Sequence, residues 1–238
     1  MRNKLYLFIL MNLLFVSGAG RRDAGTPAAQ RIRNIAECPT DTARAKYFAF
    51  MNLGPEHDFY KNVQLPGDTL SRDFVPDGLA EIPTTELLRP NKTIRVCADV
   101  LPALTKMAAA MHDEIGRPMA IASGYRSFGV QKVLYGGGEH GSWRAFPGLS
   151  QHQTGYALDL IGKDNGVIGR SEIKWLKARA WEFGFVQSYT AESAAATGIV
   201  PEAWHYLYVG KETAKFIQQF CADNQYEFLA YLKEIRQK

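Results

Sequence analysis

His152 and Asp159 stand seven positions apart in "SQHQTGYALDL" (150–160), on either side of Gly155. His205 follows Glu202 by three positions in "EAWHYLYVG" (202–210). Two imidazoles and two carboxylates are the residue types that a hydrolytic zinc site needs. Such a site takes three protein ligands and leaves a fourth position for water. His152, Asp159 and His205 can be those three, since nitrogen and carboxylate ligands suit zinc. The ion would lower the pKa of its water toward ~7. Glu202 would then be a carboxylate beside the metal, able to take the water's proton and return it to a leaving amine. The same division of labour operates in H-E-x-x-H helices, but Trp204 and the Tyr206/Tyr208 stripe make this segment a strand. A third piece, "SGYRS" (123–127) followed by Gln131, adds Arg126. Its fork of donors suits a carboxylate or a developing oxyanion. Tyr125, Ser127, Gln131 and Ser150 are secondary candidates for polar contacts with substrate.

Spacing alone does not bring these groups together. Along one straight strand a seven-residue offset puts His152 and Asp159 on opposite faces. Gly155 supplies a bend that lets both face one point. Asp159 sits among apolar neighbours in "YALDL", where a carboxylate is costly to bury unless paired or metal-bound. A bare Arg126–Asp159 ion pair is the competing explanation, but it leaves Glu202 and both histidines unexplained. His57, His112 and His140 lack such company. His112 belongs on a helix flank, and His140 lies in a Gly-rich loop from which it could reach substrate.

The elements that must position these groups are legible in part. Val100, Leu101, Leu104, Met107, Ala108, Met111 and Ile115 share one helical face, with Asp99 as the expected cap and Gly116 with Pro118 as the stop. "MAIAS" (119–123) and "YALDL" (156–160) read as strands, and "AWHYLYVG" (203–210) as a third. A second helix is expected over 171–183, capped by Ser171 and stopped by Gly184, with a helical tail from Lys211 onward. Residues 62–83 carry Pro and Gly at short intervals and should wrap over a core, while 135–148 form a Gly-rich loop beside the site. No internal repeat is present. Strands with mixed connections and flanking helices predict an α+β fold.

The first twenty residues pair a basic start at Arg2 and Lys4 with a short apolar run and a small-residue exit. This is the pattern of an export signal, with an uncleaved anchor as the alternative. The expected organisation is a signal at 1–20, an N-terminal extension at 21–58 and one catalytic domain at 59–238. No later segment could span a bilayer. Loss of Arg2 and Lys4 removes two of the +4 formal charges, and no Lys/Arg-rich run exists, which argues against a nucleic-acid partner. Cys38, Cys97 and Cys221 form no C-x-x-C, so a Cys-rich zinc site is excluded. Cys97 and Cys221 can pair in an exported chain, or all three can be small buried hydrophobes.

Taken together, Ser150 to Asp159 as S-x-H-x-x-G-x-A-x-D, Glu202 to His205 as E-x-W-H, and "SGYRS" with Gln131 resemble the VanY-type D-alanyl-D-alanine carboxypeptidases. These are LAS metallopeptidases, related to lysostaphin-type enzymes and the hedgehog signalling domain. The resemblance runs from about residue 62 to 210 and touches "DFVPDGL" (73–79) and "FGFVQSY" (183–189). It implies a central antiparallel sheet with helices packed around it. It also implies Zn2+ on His152, Asp159 and His205, with Glu202 as catalytic base and Arg126 meeting the substrate's carboxylate or scissile carbonyl. The implied substrates are peptidoglycan stem peptides or their precursors, met outside the cytoplasm, in the periplasm or at the cell wall. The first expectation is removal of a terminal D-Ala. L,D-carboxypeptidase or endopeptidase action on the same stem, or a zinc module without catalysis, are the alternatives. The chain departs from the relatives it resembles at Ala203, where Pro is frequent, at Leu207, where Arg is often found, and at Ser188, where Arg is usual. Its loop between Gln131 and Ser150 is Gly-rich where relatives often carry a helical insertion.

Overall fold

The computed structural model describes residues 41–53, 69–136 and 144–237. The expected export signal, Cys38, His57, His140 and the centre of the Gly-rich loop lie outside the described residues. In chain order the elements are α1 (Asp41–Met51), β1 (Leu79–Glu81), β2 (Leu88–Pro90), β3 (Arg95–Cys97) and α2 (Val100–Ile115). Then come β4 (Met119–Ser123), α3 (Phe128–Gly136), β5 (Ala157–Ile161), α4 (Arg170–Arg179) and β6 (Phe185–Gln187). The last are β7 (His205–Tyr208), α5 (Lys211–Phe220) and α6 (Gln225–Gln237). Single turns at Gln151–Thr154 and Ala180–Phe183 are 3-10 helical.

The main sheet has the order β2-β4-β5-β7-β6 and is antiparallel except for the β2–β4 edge. The α+β expectation of an antiparallel sheet with flanking helices therefore holds. Strands β1 and β3 pair separately as an antiparallel ribbon. Both faces of the main sheet are covered, so the central strands carry apolar residues on both sides rather than a polar face. Leu158 and Leu160 of β5 and Tyr206 of β7 point into one core with Leu104, Met107 and Met111 of α2. Ala157, Leu207 and Val186 face a second core with Ala214 and Ile217 of α5, and Phe228 and Leu232 of α6. Asp159 and His205 fall on this second face by strand alternation, at its open end.

Helix α1 places Phe50 in the second core, with its ring edge-on to those of Phe216 and Tyr231. Part of the stretch expected as an extension thus contributes to the packed unit Pro39–Lys238. Helix α2 matches its expected face, and Gly116 ends it at φ 65°, a left-handed conformation that glycine adopts without a Cβ clash. Asp99 does not cap it. Its backbone is already helical (φ −67°, ψ −17°), so the side chain is not aimed at the first turn and instead accepts a hydrogen bond from Tyr156 Oη at 3.0 Å. Ser171 is likewise no cap. It lies inside α4, behind Gly169, and donates to Glu172 Oε2 at 2.7 Å. The helical tail is two helices, broken where Ala222 and Asp223 take positive φ.

Cys97 and Cys221 are free thiols buried in separate cores, so the pairing alternative falls and the small-hydrophobe one stands for these two. Burial pushes the Cys97 thiol up to about 11 and the Cys221 thiol up to about 12.

Candidate active site

Register builds the site. Ser123 of β4 stands opposite Asp159 of β5, and Asp159 stands opposite His205 of β7. The turn Gln151–Thr154 precedes β5, and Gly155 links the two at φ 80° and ψ 2°. A Cβ there would lie 2.7 Å from Cys97 Sγ and 3.1 Å from Pro76 Cγ. The bend therefore needs glycine on two counts, conformation and space. Gly155→Ala is expected to cost about 1–3 kcal/mol, seen as a Tm lower by roughly 2–4 °C for each kcal/mol lost. An unchanged thermal transition would show that the turn relaxes without strain.

His152, Asp159 and His205 converge, with one candidate ligand atom from each lying within 4.8 Å of the others. His152 is buried, and its Nδ1 lies 2.7 Å from the Gly124 carbonyl oxygen. A carbonyl only accepts, so Nδ1 carries the ring proton and Nε2 presents a lone pair. That Nε2 has no hydrogen-bond partner and lies 3.2 Å from Asp159 Oδ2. His205 Nδ1 lies 3.0 Å from Asp159 Oδ1. Two ligand atoms on a tetrahedral zinc at ~2.1 Å would be about 3.4 Å apart. His152 Nε2 and Asp159 Oδ2 are both acceptors and repel at 3.2 Å unless a cation lies between them, and His205 Nδ1 converges on the same carboxylate, so the residues fit a divalent metal.

The electrostatics agree. Burial pulls His152 down to about 4, against the opposing pull of Asp159, and keeps it neutral as a ligand must be. Burial pushes Asp159 up, but the two histidines outweigh it and hold the carboxyl well below its usual range. Glu202 lies beside the cluster, its Oε2 3.7 Å from His205 Nδ1. Burial lifts its carboxyl to about 7, with His205 and Arg126 opposing and Asp159 assisting.

Arg126 joins the same network. Its Nη2 donates to Asp159 Oδ2 at 2.9 Å and its Nη1 to Gln131 Oε1 at 3.1 Å. The ion pair expected as a competing explanation is thus present, and it coexists with the histidine cluster. Gln131 is buried and donates to the Ala145 carbonyl at 2.7 Å, so it holds Arg126 rather than reaching into the cleft. Ser127 accepts from the Val130 N–H at 3.3 Å and caps α3. Ser150 is buried. Of the secondary candidates only Tyr125 lines the cleft, with Arg126, Asp159 and Glu202. This cleft of about 690 Å³ is rimmed by Lys92, Arg95 and Arg144, cations that spacing in the sequence did not point to. His112 lies on the flank of α2, away from the cluster, as expected.

Residues 93–211, half of the chain, match the VanY family, described as D-alanyl-D-alanine carboxypeptidase. The chain belongs to the VanY family. YodJ of Bacillus subtilis is 33% identical over 190 residues, covering 74% of this chain and 66% of that protein. A D-alanyl-D-alanine carboxypeptidase of Enterococcus faecium is 37% identical over 117 residues, covering 48% of this chain and 37% of that protein. The chain therefore spans just under two thirds of one curated relative and little more than a third of the other. The LD-carboxypeptidase LdcB has a solved structure that superposes with a TM-score of 0.52 and 31% identity, covering 63% of this chain and 76% of that one.

Two departures from VanY relatives acquire a location. Leu207 packs in the second core, and Ser188 is buried behind His205, with its backbone N–H donating to the His205 carbonyl at 3.3 Å. Neither lines the cleft, whose cations are Lys92, Arg95, Arg126 and Arg144. Gly124, Gln151 and Ser188 were not singled out for a role at the metal site. Their contacts run to atoms of residues far off in sequence, which no local pattern signals.

Proposed function

We propose that this chain is a zinc-dependent peptidase that removes a terminal D-Ala from peptidoglycan stem peptides outside the cytoplasm. The observation that carries this reading is the convergence of His152, Asp159 and His205 with the Glu202 carboxyl 3.7 Å from His205 Nδ1, at the end of an open cleft. His152 Nε2, Asp159 and His205 Nδ1 would hold the metal. A zinc ion there supplies an acidified water and a Lewis acid for the scissile carbonyl.

The chain's own groups do the rest. Glu202 takes the proton of the attacking water and returns it to the departing amine. Its elevated pKa suits both directions of transfer near neutrality. Arg126 is anchored by Asp159 and Gln131 and lines the cleft. There it meets the terminal carboxylate or the developing oxyanion. Lys92, Arg95 and Arg144 favour a substrate that carries further carboxylates. Family membership supports the D-Ala terminus. The 31% identity to an LD-carboxypeptidase supports L,D-action as the second reading. No helix among the described residues is long and apolar enough to cross a membrane.

Mass spectrometry of defined penta- and tetrapeptide stems after incubation with zinc-loaded protein tests this. Loss of one alanine from the pentapeptide is the expected result. Loss from the tetrapeptide alone makes it an L,D-enzyme, and an internal cut an endopeptidase. No cleavage with zinc bound would overturn the catalytic reading.

A pH dependence follows. Glu202 must be unprotonated to accept the proton, so kcat/KM is expected to rise with pH through its pKa. Burial sets that value at about 7 without metal, and a neighbouring dication lowers it. The acid limb should therefore have its midpoint below 7. A midpoint above 7 would assign the limb to another group.

A further inference from the structure

The two histidines are held in different ways. His152 has its second nitrogen fixed by a backbone carbonyl, that of Gly124. His205 has its second nitrogen, Nε2, 2.9 Å from a side-chain atom, Gln151 Oε1. The same oxygen accepts from Ser188 Oγ at 2.5 Å. Gln151 and Ser188 are each only 1% exposed, so no bulk water competes for these bonds. We propose that Gln151, seated by Ser188, is the positioning residue that keeps the His205 proton on Nε2 and leaves Nδ1 as the metal-facing lone pair; this rests on the zinc reading above.

The argument turns on which end of the amide faces the ring. With oxygen toward His205, the amide accepts from the ring N–H and from the Ser188 hydroxyl, filling both lone pairs. With nitrogen toward His205, the amide would donate to Nε2. The ring proton would then sit on Nδ1, where it donates to Asp159 Oδ1 at 3.0 Å and blocks the metal-facing position, so the Gln151 acceptor competes with that carboxylate for the proton. The Ser188 hydroxyl would also lose its acceptor. The observed orientation leaves Gln151 Nε2 buried with no hydrogen-bond partner. Buried donors are seldom left so, and those that are call for a reason. The reason here is the bond on the other side of the amide. Ser188 belongs to the same junction, since its own N–H donates to the His205 carbonyl. A second coordination sphere of this kind orients a ligand and fixes its tautomer, and its loss typically costs 10–100-fold in metal affinity.

The test uses the full chain labelled with 15N-histidine. Long-range 1H–15N spectra of the metal-free protein report the tautomer of His205. Competition with a chromophoric chelator reports zinc affinity for the wild type, Gln151→Met, Gln151→Glu and Ser188→Ala. The wild type should show His205 protonated on Nε2. Gln151→Met should mix the tautomers and weaken zinc roughly 10–100-fold. Gln151→Glu keeps an acceptor in place and should restore both the tautomer and most of the affinity, which a merely space-filling role would not predict. Ser188→Ala should give a smaller loss in the same direction. A wild type protonated on Nδ1, or a folded Gln151→Met that binds zinc as tightly as the wild type, overturns the proposal and leaves the zinc reading standing. Should Gln151→Met not fold, the wild-type spectrum and Ser188→Ala still decide. A wild type that binds no zinc at all overturns both.

Discussion

Glu202→Gln is expected to lower kcat by roughly 10²–10⁴-fold while zinc content stays at the wild-type level. The amide fills the same space but cannot take a proton. Since Glu202 is beside the cluster and not within it, the three ligand atoms keep their positions. Turnover within tenfold of wild type would remove Glu202 as the base, and loss of zinc would make it a ligand. The same variant carries a stability signature in the metal-free protein. The Glu202 carboxyl titrates at about 7 in the fold, against 4.5 for an ordinary glutamate, because burial disfavours its charge. The folded state therefore holds the proton more tightly than the unfolded state. Stability from this group is fully present below pH 4.5 and is lost as pH rises through 7. Glutamine has no charge to bury. The variant should thus match the wild type near pH 4.5 and exceed it at pH 8, by up to about 3 kcal/mol. Denaturant titrations of chelated protein at the two pH values would check this, and equal differences at both would refute it.

Asp159→Asn is expected to abolish turnover and to weaken zinc by at least about 100-fold, beyond the range for outer-shell changes. The substitution removes the anionic ligand and one more thing. Arg126 donates to Asp159 at 2.9 Å with both side chains 17% exposed, so the change leaves a mostly buried guanidinium without its counter-charge. Breaking a buried pair in this way costs about 3–5 kcal/mol, and the residual exposure puts the expected loss at the lower end. Calorimetry should show a lowered Tm even in chelated protein. Zinc affinity and Tm falling together is the expected pattern. A Tm loss with zinc binding intact would reduce Asp159 to the partner of Arg126 alone.

Much of the molecule was legible from residue order. The face of α2 from Val100 to Met111, the strand "MAIAS", and the stops at Gly116 and Gly184 follow from local periodicity and from the conformational freedom of glycine. The three-residue strands β1, β2, β3 and β6 are shorter than the period that would reveal them. Helix α3 was missed because its run from Phe128 to Gly136 buries few side chains and so carries a weak apolar stripe. Asp99 and Ser171 show the converse error. Each is a good capping residue type, but tertiary partners, Tyr156 and Glu172, claimed the side chain.

What the sequence by itself determined is the set of reactive residue types and the bend at Gly155 that lets two of them meet. These are properties of single residues and short spacings. Only the tertiary structure decided how the groups are wired. Sheet register set Asp159 between Ser123 and His205. The Gly124 carbonyl chose the His152 tautomer from 28 positions away. Gln131 turned out to brace Arg126, and Ser188 to lie behind the metal site rather than in the cleft. Apart from the Arg126–Gln131 bond, which spans five positions and is seated by the Gln131 bond to the Ala145 carbonyl, these contacts join segments distant in the chain, and their geometry exists only once both cores have packed and closed the sheet between them.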